Sequence, residues 1–229
     1  MLSSLVNLIE LAYIYYMEFS ITLIIVIITC IVSIGGFNSQ KTIDDLIFYP
    51  PLVQRGQVYR FISHGLIHAD PAHLIFNMLA LYSFGESLEK IYAVPFIYGS
   101  NGKLIYLLLY FTALIIASVP DFFKHKDNSY YRSLGASGAV SAVIFSAILF
   151  NPNSGIGLIF LPGLNIPGYI FGIIYLIIST ILAKRGKDNI GHTAHITGAI
   201  YGLIFTFITT KLFTNFDILD NFWRQVTGR

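Results

Sequence analysis

A serine among small neighbours, Gly135-Ala136-Ser137-Gly138, opens an uncharged apolar run, and His195 sits inside another, Gly191-His192-Thr193-Ala194-His195-Ile196-Thr197-Gly198. Serine becomes a nucleophile when a histidine within hydrogen-bond reach takes its proton. A histidine in a membrane segment is costly, tends to face a bundle interior or a water-filled cavity, and so marks a functional site by default. Taken alone, the pair reads more readily as polar glue between helices, which is common in membrane bundles.

A second cluster shifts that balance. Arg60-Phe61-Ile62-Ser63-His64-Gly65-Leu66-Ile67-His68 leads into His73-Leu74-Ile75-Phe76-Asn77. His73 and Asn77 are spaced i, i+4 and project from one helical face. Asn77 carries an amide N–H suited to a developing oxyanion, and His73 could assist it. Ser137 also stands near a helix N-terminus, where unpaired backbone N–H groups favour negative charge. A nucleophile, a base and oxyanion donors are what acyl transfer needs. The competing reading of His64, His68 and His73 is a metal site or loop hydrogen bonding. Asp70 is the only carboxylate nearby and H-E-x-x-H is missing, so neither a metal nor another cofactor is expected.

The elements that must position these residues are membrane helices. The chain of 229 residues is 55% hydrophobic and 11% charged, against about 25% charged in soluble domains. Its formal net charge of +2 gives no case for a nucleic-acid partner, and the single Cys30 excludes an internal disulfide. Residues 1–18 are apolar and Tyr-rich without a basic n-region, and are expected to form an interfacial or helix-extending segment. Six crossings are expected over residues 19–213: Phe19–Phe37, His73–Tyr92, Lys103–Val119, Ser137–Phe150, a fifth ending near Ala183, and Gly191–Phe213. Residues 38–72 suit an amphipathic interfacial loop, 121–132 a charged loop, 151–168 an uncharged Pro/Gly loop, and 214–229 a short polar tail. The fourth span is short, which works if its start is buried among its neighbours. His195, Gly198, Ala199 and Gly202 share a helical face, and Gly198 with Gly202 forms a G-x-x-x-G that admits another helix closely. Gly138 and Ala142 make a similar face beside Ser137. The fold class is therefore an all-α, polytopic membrane helix bundle.

These blocks, together with Gln57-Val58-Tyr59-Arg60 and the Gly85/Glu89 pair, resemble the rhomboid intramembrane serine proteases in order and spacing over most of the chain. The resemblance implies a compact six-helix bundle around a water-filled cavity. It implies Ser137 as nucleophile, His195 as general base, His73 and Asn77 as oxyanion stabilisers, and Arg60 and Glu89 as structural polar anchors. The implied substrate is a single-pass membrane protein with small residues near the cut, and the compact bundle without a seventh span or a targeting presequence leads to the expectation of a bacterial inner membrane. In two places the sequence departs from the family pattern. Ser141 stands where many members carry a tyrosine packed on the catalytic histidine, and Tyr59 stands where a tryptophan is common.

Neither the fourth nor the sixth span contains Asp or Glu, so a Ser–His dyad is expected, with packing rather than an acid fixing the imidazole. The turn at Lys184 to Asp188 could cap the cavity. With the N-terminus cytoplasmic, as the resemblance implies, nine of the 14 Lys and Arg residues lie outside, whereas positive-inside bias alone favours the reverse. Two other functions compete: a non-proteolytic rhomboid-like protein that binds membrane clients, and a transporter or channel. The latter would show intramembrane carboxylates or internal repeats, and the sequence shows neither. Asp188→Asn is expected to leave peptidase turnover intact, and a large loss in folded protein would sink the dyad reading.

Overall fold

Helix α1 (Ile21–Phe37) buries Thr22, Ile25, Thr29, Ser33 and Gly36 and turns Leu23, Ile24, Ile27, Ile28, Ile31 and Ile34 outward. That pattern inverts the amphipathicity of a water-soluble helix. Small and hydroxyl-bearing residues face the protein, and branched apolar ones face away, as expected where the surrounding solvent is lipid. The chain is described here by a computed structural model covering residues 20–158, 161–185 and 191–229. The segment 1–18 and the turn residue Asp188 lie outside the described residues.

The segment after α1 is not a featureless loop. It folds into α2 (Gln40–Leu46), α3 (Pro50–Gln54), α4 (Arg60–Ser63) and a 3-10 turn at His64–Leu66. Arg60 holds these pieces together from a buried position. Its Nη1 donates to the carbonyls of Asp44 (2.9 Å) and Ile47 (2.7 Å), and its Nε to Gln57 Oε1 (2.7 Å).

Helix α5 (Pro71–Tyr92) starts at an Asp70 cap, with Pro71 in the first turn, and α6 (Gly102–His125) follows after a short connection. The sequence placed a charged loop from Asp121, yet α6 runs through Pro120 to His125. Buried Asp121 explains part of this, because it accepts a 2.7 Å hydrogen bond from Tyr131 Oη and ties the helix end to the following segment. Helix α7 (Ser137–Phe150) is the hub: every residue from Gly138 to Phe150 is buried, and α5, α6, α9 (His192–Phe213), α8 (Gly168–Arg185) and α10 (Ile218–Thr227) all pack against it.

Two connections differ from the sequence reading. The Pro/Gly segment after α7 is an antiparallel hairpin, β1 (Gly155–Leu158) with β2 (Leu161–Pro167), in the register Gly155↔Pro167 and Ile156↔Ile166. The polar tail contains the amphipathic helix α10, whose Asn221 Nδ2 and Gln225 Nε2 donate to the Phe150 carbonyl at 3.0 and 2.8 Å. The last carbonyls of a helix have no partner within it, so α10 supplies one for the end of the buried hub.

Among the described residues, two stretches, Gly99–His125 and His192–Phe213, are long and apolar enough to cross a bilayer by length and composition alone. The shorter apolar helices are Ile21–Phe37, Ser137–Phe150 and Gly168–Ala183.

Helix α1 is anchored by a carboxylate from α5. Glu89 Oε1 accepts from Ile21 N (2.9 Å), and its Oε2 from Thr22 N (3.1 Å), Thr22 Oγ1 (3.0 Å) and Ser20 Oγ (3.1 Å). The buried anion thus meets the positive end of the α1 dipole and its free N–H groups. Gly85, one turn earlier, makes the approach possible, since a Cβ there would lie 2.5 Å from Tyr106 Oη and 2.8 Å from Thr22. Glu89→Ala should lower stability by about 2–3 kcal/mol, the scale of hydrogen bonds to a charged group, with Glu89→Gln intermediate. Thermal unfolding in detergent tests this, and an unchanged midpoint in Glu89→Ala would contradict it.

Candidate active site

Gly135 sets the entry to α7. Its φ of +109° is a conformation that side-chain-bearing residues resist, and a Cβ there would meet His73 Cε1 at 2.8 Å. The approach is stitched to the first loop by paired bonds, Phe48 N to Ser133 O (2.9 Å) and Ser133 N to Phe48 O (3.1 Å), and by Gly135 N donating to His64 O (2.9 Å). Helix α7 then begins at Ser137 with no side-chain cap on its N-terminus. Its first N–H groups therefore have no intrahelical partner and carry the positive end of the helix dipole.

His195 lies one turn before the Gly198/Gly202 face. A Cβ on Gly198 would sit 2.0 Å from Gly138 O, and one on Gly202 2.3 Å from Ala142 O. A Cβ on Gly138 would in turn meet Ala117 Cβ at 2.6 Å. The α9 backbone therefore rests directly on α7, and His195 comes to the level of Ser137.

One cavity of about 820 Å³ gathers the residues singled out by sequence: Ser137, His195, His73 and Asn77 all line it, together with Tyr175. Among the described residues no direct hydrogen bond joins Ser137 to His195. Catalytic hydrogen bonds are often long without substrate and tighten when it binds. Asn77 Nδ2 donates to His73 O at 3.0 Å. Its amide bears two hydrogens, so one remains for a partner in the cavity. His73 is set by Asp70, whose Oδ1 accepts its backbone N–H at 2.8 Å, and its ring meets His68 edge-on at 5.0 Å. Arg60 and Glu89 lie outside the cavity, in the loop and at the head of α1. Among the described residues no group of three or more His, Cys, Asp or Glu is disposed to hold a metal ion.

His68 and His64 brace the site rather than line up as ligands. Ser33 Oγ donates its one proton to Leu66 O (2.8 Å), so the 3.0 Å contact with His68 Nδ1 has the imidazole as donor. His68 Nε2 then keeps its lone pair and accepts Ala136 N–H at 3.5 Å, just ahead of the nucleophile candidate. By the same counting Ser118 donates to Leu114 O (3.0 Å), and His64 Nε2–H donates to Ser118 Oγ (3.1 Å).

Residues 55–212 match the family model of the Rhomboid domain. The chain belongs to the rhomboid family. Rhomboid protease GlpG of Haemophilus influenzae is 29% identical over 176 residues, covering 75% of this chain and 82% of that protein. Rhomboid protease GluP of Bacillus subtilis is 30% identical over 151 residues, covering 66% of this chain and 26% of its own length. RHOMBOID-like protein 12, mitochondrial, of Arabidopsis thaliana is 26% identical over 174 residues, covering 73% of this chain. The rhomboid chain described here spans about half the length of that plant relative, 51%. Rhomboids are integral membrane proteins, which accounts for the outward isoleucines of α1, α8 and α9.

Sequence reasoning missed Tyr175. This rhomboid lacks a tyrosine at position 141, and the α8 ring instead lies against His195, with centroids 6.2 Å apart and planes 29° from parallel. Only the gap at Ser141 hinted that a ring from elsewhere was needed.

Burial pushes the His64 imidazole down to about 4 and, with the like charge of His73 adding to burial, His68 down to about 3. The unfolded chain, with histidine near 6.5, therefore binds more protons than the fold at mildly acidic pH. Stability is complete above about 6.5 and is lost as the pH falls toward 4. The thermal midpoint in detergent should drop over this window, and His64→Gln, which keeps the donor to Ser118, should flatten the drop. Parallel curves for the two proteins would exclude His64 as a cause.

Proposed function

We propose that this chain is an intramembrane serine endopeptidase that cleaves single-pass membrane proteins with a Ser137–His195 dyad. One observation carries the reading: Ser137, His195, His73 and Asn77 line a single cavity at the uncapped N-terminus of α7. The rhomboid protease names of the bacterial relatives support it.

Depth supports it as well. Fourteen residues of helix rise about 21 Å at 1.5 Å per residue, against about 30 Å of hydrocarbon. With α10 assigned to one membrane face, the far end of α7 that it holds lies at that face and Ser137 falls below the opposite surface. The six crossings would be α1, α5, α6, α7, α8 and α9.

The chemistry runs as acyl transfer. His195 takes the Ser137 hydroxyl proton as Oγ attacks a backbone carbonyl of a locally unwound substrate segment. The tetrahedral oxyanion is met by Asn77, His73 and the first N–H groups of α7. His195 then passes the proton to the leaving amine, and water, activated by the same imidazole, hydrolyses the acyl-enzyme and restores Ser137. The aromatic face of Tyr175 takes the orienting part that an acid plays in a triad.

For orientation we adopt a cytoplasmic N-terminus in a bacterial cell membrane. Two of the cations this places outside are satisfied by protein. Arg60 is buried on backbone carbonyls, and Arg132 pairs with Asp44 at 3.3 Å and lies over the Tyr49 ring. Setting these two aside leaves seven cations outside against five inside, so the adopted orientation rests on the family resemblance and not on charge.

A serine-reactive fluorophosphonate should label the wild type, and Ser137→Ala and His195→Ala should abolish labelling. Ser141→Ala should still label, although more slowly. Well-folded wild type that fails to label would favour a client-binding rhomboid, and loss of labelling confined to Ser141→Ala would move the nucleophile to Ser141.

A further inference from the structure

Helix α8 is apolar nearly all round, with Ile170, Ile173, Ile174, Ile177, Ile178 and Ile181 exposed. On its inner face Tyr175 does something its neighbours cannot. Its hydroxyl lies 2.6 Å from Ser141 Oγ on α7. Ser141 also donates to the carbonyl of Ser137 at 2.8 Å. A serine hydroxyl has one proton, so the phenol must be the donor in the first contact. The result is a directed chain, Tyr175 O–H to Ser141 O–H to Ser137 C=O. It ends on the residue that bears the candidate nucleophile.

The ring of the same tyrosine is stacked against His195, while His192 meets His195 edge-on at 5.7 Å. Phe145 and Phe171 flank the Tyr175 ring at 5.6 and 6.0 Å and leave it little freedom to tilt. Stacking the imidazole on a face whose far end is pinned to the Ser137 turn restricts where the base can point. The phenol is thus registered to the nucleophile's helix, and the imidazole is registered to the phenol.

We propose that Tyr175, held by Ser141, is a positioning residue for His195, so that the base is aligned only while α8 is seated against α7 and α9. This rests on the protease reading above. The consequence is local: displacing Tyr175 from the α7 and α9 surfaces leaves the imidazole without its support.

The test compares wild type with Tyr175→Phe, Tyr175→Ala, Ser141→Ala and the swap Tyr175→Ala/Ser141→Tyr, which delivers a ring from α7 instead of α8. Two readouts are used: kcat and KM on a transmembrane-segment substrate in proteoliposomes, and the second-order rate of fluorophosphonate labelling. The small probe needs the base but no helix entry. Tyr175→Phe and Ser141→Ala should lose several-fold in kcat and labelling rate at unchanged KM. Tyr175→Ala should lose about 100-fold, the scale of a misplaced catalytic group, and the swap should recover most of it.

A ring that served only as wall or gate would leave labelling unchanged or raise turnover in Tyr175→Ala. That result overturns the proposal, as does a swap that folds without recovery. If Tyr175→Ala does not fold, Tyr175→Phe and Ser141→Ala decide by the same two readouts. Wild type that does not label refutes the protease reading itself, whereas wild type and Tyr175→Ala labelling equally refutes only the role of Tyr175.

Discussion

The backbone of α9 lies on the carbonyls of Gly138 and Ala142 at a separation that no side chain tolerates, since added Cβ atoms on Gly198 and Gly202 would stand 2.0 and 2.3 Å from those oxygens. Lipid tails offer no hydrophobic reward for bringing two helices together, so association depends on close van der Waals contact and interhelical hydrogen bonds. This contact fixes both the distance and the sliding register of the two helices that carry Ser137 and His195. Ser146 reinforces it by donating to Gly202 O at 3.1 Å, and Thr206 donates to Ser146 at 2.8 Å. The cavity, the approach of His73 over Gly135 and the seat for Tyr175 all take their geometry from that pair of helices.

Once the central pair is fixed, the remaining task is to satisfy polar groups where water is scarce. Glu89 answers the first N–H groups of α1, and Asn221 and Gln225 answer the end of α7. Arg60 answers carbonyls of the first loop. Each of these polar side chains faces inward, because an unsatisfied backbone group in hydrocarbon costs several kcal/mol. Hydroxyl-bearing residues follow the same rule. Tyr92 Oη lies 3.1 Å from Thr206 Oγ1, and Tyr98 Oη 2.6 Å from Thr209 Oγ1.

The all-helical class and the residues that line the cavity, Ser137, His195, His73 and Asn77, were legible in the sequence, because glycine spacing and i, i+4 periodicity are local signals. The end of α6 was not. Pro120 reads as a helix stop, and only the contact between Tyr131 and Asp121, ten residues apart, shows why the helix continues. Helix α10 was missed because polar residues in a tail read as solvent-facing, whereas Asn221 and Gln225 point at the core. Tyr175 escaped notice for a different reason: α8 is apolar on every side, so no periodicity marks which of its rings meets the histidine.

The bonds from α10 to Phe150 have a consequence in biosynthetic time. They span 71 and 75 positions along the chain. A ribosome therefore delivers the Ser137 helix to the membrane well before α9 brings His195, and before α10 closes the floor beneath it. A nascent chain stalled in between holds Ser137 without His195, on a helix whose Phe150 carbonyl still lacks its two amide donors. The hub helix and the cavity at its head are thus completed by residues made long after the helix itself.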